Sequence, residues 1–151
     1  MAIINYSQVP RAFMHCHEAD CPLADSCLRR QAYLLLPPMG QGGSDIVYTL
    51  NPSITREKPC SYYLSDTPVR VARGFRKAHR SVPHENYREV QYLLMKHMSQ
   101  DSFYRFRRGT KLIYPDVQEK ILSVLRRCGA KEPVEFDAYE DVLDWGDRII
   151  R

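Results

Sequence analysis

Three of the five cysteines, Cys16, Cys21 and Cys27, fall within twelve residues, and a fourth, Cys60, follows about thirty residues on. Soft thiolates bind zinc or iron better than they pack a core, so clustered thiols in a reducing compartment point to a metal. Four of them match the ligand count of a tetrahedral centre. Of their spacings, Cys16-x4-Cys21 stands at the edge of the two to four residues that usually separate paired zinc thiolates and Cys21-x5-Cys27 lies outside it. The local backbone must therefore supply the geometry. His15 and His17 flank Cys16 and stand as reserve ligands for a site of three cysteines and one histidine. Zinc is the expected occupant and an iron-sulfur cluster the alternative, since both accept four thiolates. Without metal, the same cysteines are reduced core residues or redox-sensitive pairs.

The second stretch with chemical content runs from Phe103 to Tyr114, where rings alternate with Arg105, Arg107, Arg108 and Lys111 around Gly109. Guanidinium forks clamp phosphates and exposed rings stack on unpaired bases, so the composition suits contact with nucleic acid. The competing reading places Tyr104, Phe106, Leu112 and Tyr114 in the core, with the cations solvated or paired with Asp137, Glu140, Asp141 and Asp144. Catalytic signatures are missing: there is no His-Glu-x-x-His, no Gly-x-Ser-x-Gly elbow, no Walker lysine and no dinucleotide fingerprint. His79, His84 and His97 are scattered without an evident carboxylate and nucleophile, so no catalytic residue is assigned.

The elements that must position these groups follow from periodicity and breakers. Pro22 suits a first helical position, and Leu23, Cys27, Leu28, Gln31, Ala32 and Leu35 form a helical stripe ending before Pro37-Pro38. This would put Cys21 at a helix N-terminus, whose dipole and free amides favour thiolate. Pro37 to Asp45 reads as a glycine-rich loop without a phosphate-loop ending, and Ile46 to Leu50 as a short strand stopped by Asn51-Pro52. Asp66-Thr67-Pro68 opens a helix-prone stretch carrying Val69, Ala72, Phe75 and Ala78. Further helices are expected over Pro83 to Met98 and from Pro115 to about Cys128, with Gly129 as a stop. Cys128 lies on the apolar stripe of the latter and reads as core. The tail from Asp137 to Trp145 reads as a final helix against the basic region.

The 151 residues suffice for one core. A 44% apolar share with 26% charged residues describes a folded, soluble protein. The start of the chain lacks a leader pattern and Tyr33 to Leu36 is too short an apolar run to span a bilayer, so a cytoplasmic location and no membrane partner are expected. The net charge of +4 conceals segregation: residues 70–131 hold fifteen Lys/Arg against five Asp/Glu, whereas residues 132–151 hold two against seven. A middle section this basic meets nucleic acid or an acidic protein surface, or pairs with the acidic tail of its own chain.

Several short patterns run in one order through the chain: Phe13-x-x-Cys16, Cys21-Pro22-x-Ala24-x-x-Cys27-Leu28-Arg29, Asn51-Pro52, Cys60-x-Tyr62, Val69-x-x-Ala72-x-Gly74-Phe75, Tyr104-Arg105-Phe106-x-Arg108-Gly109 and Gln118-x-x-Ile121. In this the sequence resembles a domain-of-unknown-function family of small cytosolic proteins from Bacteroides-type bacteria. The resemblance implies a small intracellular protein, an anaerobic host that raises the prospect of iron-sulfur, and no activity. The expectation is thus an α+β, predominantly helical fold in one domain. An irregular Cys-rich metal region, residues 1–65, would pack on a helical part, residues 66–151, that is basic and then acidic.

Overall fold

A computed structural model of the chain describes residues 5–38, 41, 46–55 and 60–146. Most of the glycine-rich stretch expected to be a loop lies outside the described residues. Those residues contain six α-helices, three single 3-10 turns and one two-stranded sheet, a mostly helical α+β fold. They divide into two compact units: one runs to Pro68 and adds residues 143–146, and the other spans Val69–Val142.

The first unit has little regular structure. Helix α1 covers Leu28–Leu34 and the single-turn helix α2 covers Pro52–Thr55. The helix expected from Pro22 starts six residues late. After a 3-10 turn at Ala24–Ser26, Cys27 is extended (φ −101°, ψ 117°) and bridges Ser65 in antiparallel fashion. The Leu28 N–H donates to Leu64 O at 2.9 Å and the Asp66 N–H to Ser26 O at 3.0 Å. Pairing with a distant segment satisfies the backbone in extended form, so Cys27 caps the helix instead of lying within it. Of the strand expected at Ile46 to Leu50, one parallel bridge forms, His15 with Thr49. Leu28, Ala32, Leu50 and Phe13 are buried, and the Phe13 ring meets Trp145 edge-on at 5.2 Å.

In the second unit, strand β1 (Val69–Arg73) pairs antiparallel with β2 (Ala138–Val142), in a register running from Val69 opposite Val142 to Arg73 opposite Ala138. Two expectations are overturned here. The stretch after Pro68 opens as a strand and becomes helical only at α3 (Arg76–Ser81), and the acidic tail is a strand instead of a final helix. Alternation of Val69 and Val71 suits a pleated surface, and β1 also exchanges two hydrogen bonds with Ile113, Ala72 N–H to Ile113 O and the reverse, both 2.9 Å. Gly74 then turns the chain at φ +69°, where a Cβ would lie 2.5 Å from Asp137 Oδ2. That carboxylate accepts from the Arg76 N–H (2.9 Å) and the Lys77 N–H (3.0 Å), so a residue from the tail caps α3.

Helices α4 (Tyr87–Met95), α5 (Gln100–Arg108) and α6 (Pro115–Arg127) complete the unit. Ser99 caps α5 by accepting from the Ser102 N–H, and Gly109 ends it at φ +81°. The core joins Phe75, Val90, Leu94, Phe103, Ile113, Ile121 and Leu125, all at most 1% exposed. Cys128 sits in it at 2% exposure, and burial pushes its thiol up, helped by Glu89. It is the core residue the helical stripe predicted.

Candidate functional site

The four clustered cysteines reach one place in the first unit. Cys16, Cys21, Cys27 and Cys60 line a single cavity of about 20 Å³, together with Glu18, Arg29, Arg30, Leu50, Tyr62 and Tyr63 among others. That volume holds one water-sized body. All four are free thiols; Cys16 and Cys27 are buried, Cys21 and Cys60 half-buried.

Each thiol is brought there by backbone pairing. The Cys16 N–H donates to Arg29 O at 3.1 Å, tying the first segment to α1. Arg29 itself donates to Met14 O (2.8 Å) and Tyr62 O (2.9 Å), clasping both flanking segments, while its guanidinium lies over Phe13. Cys21 O accepts from the Ala24 N–H, which closes the turn leading to Cys27, and Cys60 O accepts from the Tyr63 N–H. The Ser26 and Tyr63 hydroxyls meet at 3.0 Å, and Gln31 Nε2 donates to Asp25 O and Asp66 Oδ2, both at 2.7 Å. Cys21 therefore stands before a 3-10 turn, not at an α-helix N-terminus as the sequence suggested, and the amide and dipole help expected there is absent.

Burial pushes the Cys16 thiol up, the Glu18 N–H donating to its sulfur pulls it down, and the other three cysteines push it up again. Among the described residues, however, no group of three or more His, Cys, Asp or Glu side chains has the arrangement of a metal site. The two histidines stay out of the cavity lining. His15 Nδ1 faces Tyr48 O at 3.1 Å, which only accepts, so Nδ1 carries the proton and Nε2 accepts from the Tyr6 hydroxyl at 3.2 Å. Both ring nitrogens are thus engaged. The His17 ring tilts against Tyr33.

The basic stretch is split by α5. Arg105 faces Asp101 at 3.6 Å, and Lys111 donates to Ser102 Oγ at 3.2 Å with its ammonium over the Phe106 ring. Arg107 and Arg108 instead line a solvent-open cleft of about 380 Å³ with Arg76, His79, Arg80 and Tyr87. Sequence reading missed Arg76 and Arg80 because they lie on α3; an i, i+4 arginine pair was the one available signal. Arg107 is braced over the Phe103 and Tyr104 rings at 5.9 and 5.3 Å. Of the acidic tail, Glu140 pairs with Arg73, and the Asp137 carboxylate caps α3.

His79 is 7% exposed, packed among Phe75, Phe103 and Tyr87. Burial, then Arg107, holds it below its usual 6.5. Arg76 and Arg80 from its own helix, Tyr87 from α4 and Arg108 from α5 share its cleft. The unfolded chain protonates this histidine near pH 6.5 while the folded chain resists, so its contribution to stability is full above that pH and is lost as pH falls toward the lowered value. Urea midpoints at pH 7.5 and 5.5 should therefore drop more for the wild type than for His79→Phe. Parallel pH profiles would refute this.

A model of a family of unknown function, DUF6078, matches residues 1–145. No curated protein and no solved structure matches the chain.

Proposed function

We propose, for a chain that belongs to this family of unknown function, a metal-stabilised nucleic-acid-binding or regulatory role in which Cys16, Cys21, Cys27 and Cys60 hold one structural zinc ion. The observation that carries this is the convergence of three neighbouring thiols and the distant Cys60, all free, on one cavity sized for a single small body. A centre of four thiolates and Zn²⁺ has net charge −2, and Arg29 and Arg30 line the same cavity against one carboxylate, Glu18, which leaves a positive lining to offset part of that charge. Zn–S bonds near 2.3 Å set tetrahedral sulfurs about 3.8 Å apart. The side chains would turn inward to reach that spacing, which couples metal binding to ordering of the first unit.

The cavity volume favours a single ion over the several atoms of an iron-sulfur cluster. An anaerobic bacterial origin, which the sequence resemblance implies, would favour the cluster. Elemental analysis of protein purified anaerobically without affinity-metal resin decides: a colourless sample with one zinc per chain supports the proposal. A brown sample that bleaches on reduction replaces zinc by iron-sulfur, and a metal-free folded protein ends both. No described helix is long and apolar enough to cross a membrane, and a cytoplasmic location would keep the thiols reduced.

The nucleic-acid part of the proposal rests on Arg105, Arg107, Arg108 and Lys111, of which Arg107 and Arg108 reach the open cleft. Binding of a mixed-sequence single strand should weaken steeply between 50 and 200 mM salt, as phosphate contacts release counterions. Undetectable binding at the lower salt would remove this part and leave the metal site standing.

A further inference from the structure

The cleft of the second unit has a composition that fold stability does not explain. Four guanidinium groups, Arg76 and Arg80 from α3 with Arg107 and Arg108 from α5, line one concavity. Among the described residues none of the four is paired with a carboxylate; Asp137 of the acidic tail accepts from the Arg76 and Lys77 backbone N–H groups. Like charges gathered in one concavity repel one another and focus a positive potential there. His79 adds a ring that is nine-tenths buried, lines the cleft and makes no hydrogen bond with any described residue. Tyr87, between the rings of His79 and His84 at 4.6 and 5.0 Å, also lines the cleft, its hydroxyl directed at Arg80 O at 3.5 Å. Such a set of planar donor forks around one space is complementary to an anion with several acceptor oxygens.

We propose that this cleft binds the phosphate of a small phosphomonoester, with Arg76, Arg80, Arg107 and Arg108 contacting the phosphate oxygens and His79 at its inner wall. A terminal phosphate fits better than a diester backbone, because it carries up to two charges and three acceptor oxygens at one point, where four cations converge instead of running along a strip. The volume of about 380 Å³ lies at the lower end of small-molecule sites, roughly 300–1,000 Å³. It takes a phosphate and an attached body of about nucleoside size. The inference shares Arg107 and Arg108 with the nucleic-acid reading but does not need it, since Arg76 and Arg80 are its discriminating residues.

The test is calorimetric titration of the full chain with inorganic phosphate, AMP, adenosine, and a single-stranded oligonucleotide bearing either a 5′-hydroxyl or a 5′-phosphate. AMP should bind and adenosine should not. Arg76→Gln and Arg80→Gln, both at exposed positions and so expected to fold, should each weaken AMP about ten- to hundredfold. A free phosphorylated metabolite as the natural ligand is indicated if AMP binds more tightly than the 5′-phosphorylated strand, and a phosphorylated nucleic-acid end if the order is reversed; either outcome supports a monoester site. Binding of the 5′-hydroxyl strand without AMP at millimolar concentration overturns the proposal while sparing the nucleic-acid reading. AMP affinity unchanged in both variants overturns it as well.

Discussion

Serine at Cys16 or Cys27 is expected to lower the zinc content from one ion per chain to well below half and to drop the unfolding midpoint by roughly 10 °C or more. Structural zinc contributes folding free energy outright, because the unfolded chain offers no preformed site. With zinc bound, the first unit would depend on that contribution more than most folds do. Among the described residues it holds two short helices and isolated bridges, and its buried apolar residues are few beside the core of the second unit. Cys128→Ser is the control: that thiol lies in the other unit's core, so the variant should lose stability but keep its zinc. Thermal unfolding with and without a chelator, alongside elemental analysis, reads both effects. If Cys16→Ser and Cys27→Ser retain full metal, or if the chelator leaves the wild-type midpoint in place, the metal proposal is lost.

Truncation after Lys131 should unfold the second unit instead of uncovering a working basic face. The removed segment carries Val134 and Phe136, both in the core at 4% and 5% exposure, as well as strand β2 and the Asp137 carboxylate that caps α3. Phe136→Ala alone should cost about 3–5 kcal/mol and Asp137→Ala about 1–2 kcal/mol. Domains of this size are stable by only about 5–15 kcal/mol. Limited proteolysis and circular dichroism of the truncated chain give the answer. A cooperative transition within about 2 °C of the wild type would show that the tail is dispensable. A protein-interaction adaptor without metal, in which the acidic tail, residues 132–151, covers the basic helix until a partner displaces it, would have to break this sheet.

Local order was legible where local interactions decide it. The helix from Pro115 with Gly129 beyond its end, the burial of Cys128 and the mostly helical α+β class all follow from apolar spacing and from the φ constraints of proline and glycine. The same reasoning failed at both strands. Val69–Arg73 and the acidic tail have mixed propensities, and their conformation was set by pairing with each other and with Ile113, partners about forty or more residues away. It failed again at Cys27, where the bridge to Ser65 outweighed the helical stripe.

The thiol grouping follows the same division. Residue type and count, written in the chain, determined that four thiols were candidate ligands and that the middle section was strongly basic, because soft-ligand chemistry and net charge need no coordinates. Tertiary structure decided the rest. Backbone hydrogen bonds of Cys16 to Arg29, Leu28 to Leu64 and Asp66 to Ser26, with the Arg29 guanidinium on Tyr62 O, carried Cys16, Cys27 and Cys60 to one cavity, and packing of α3 beside α5 set Arg76 and Arg80 in one cleft with Arg107 and Arg108. Side chains far apart in sequence meet only when long-range pairing has met the entropy of closing the loops between them, and no local pattern encodes which closure wins.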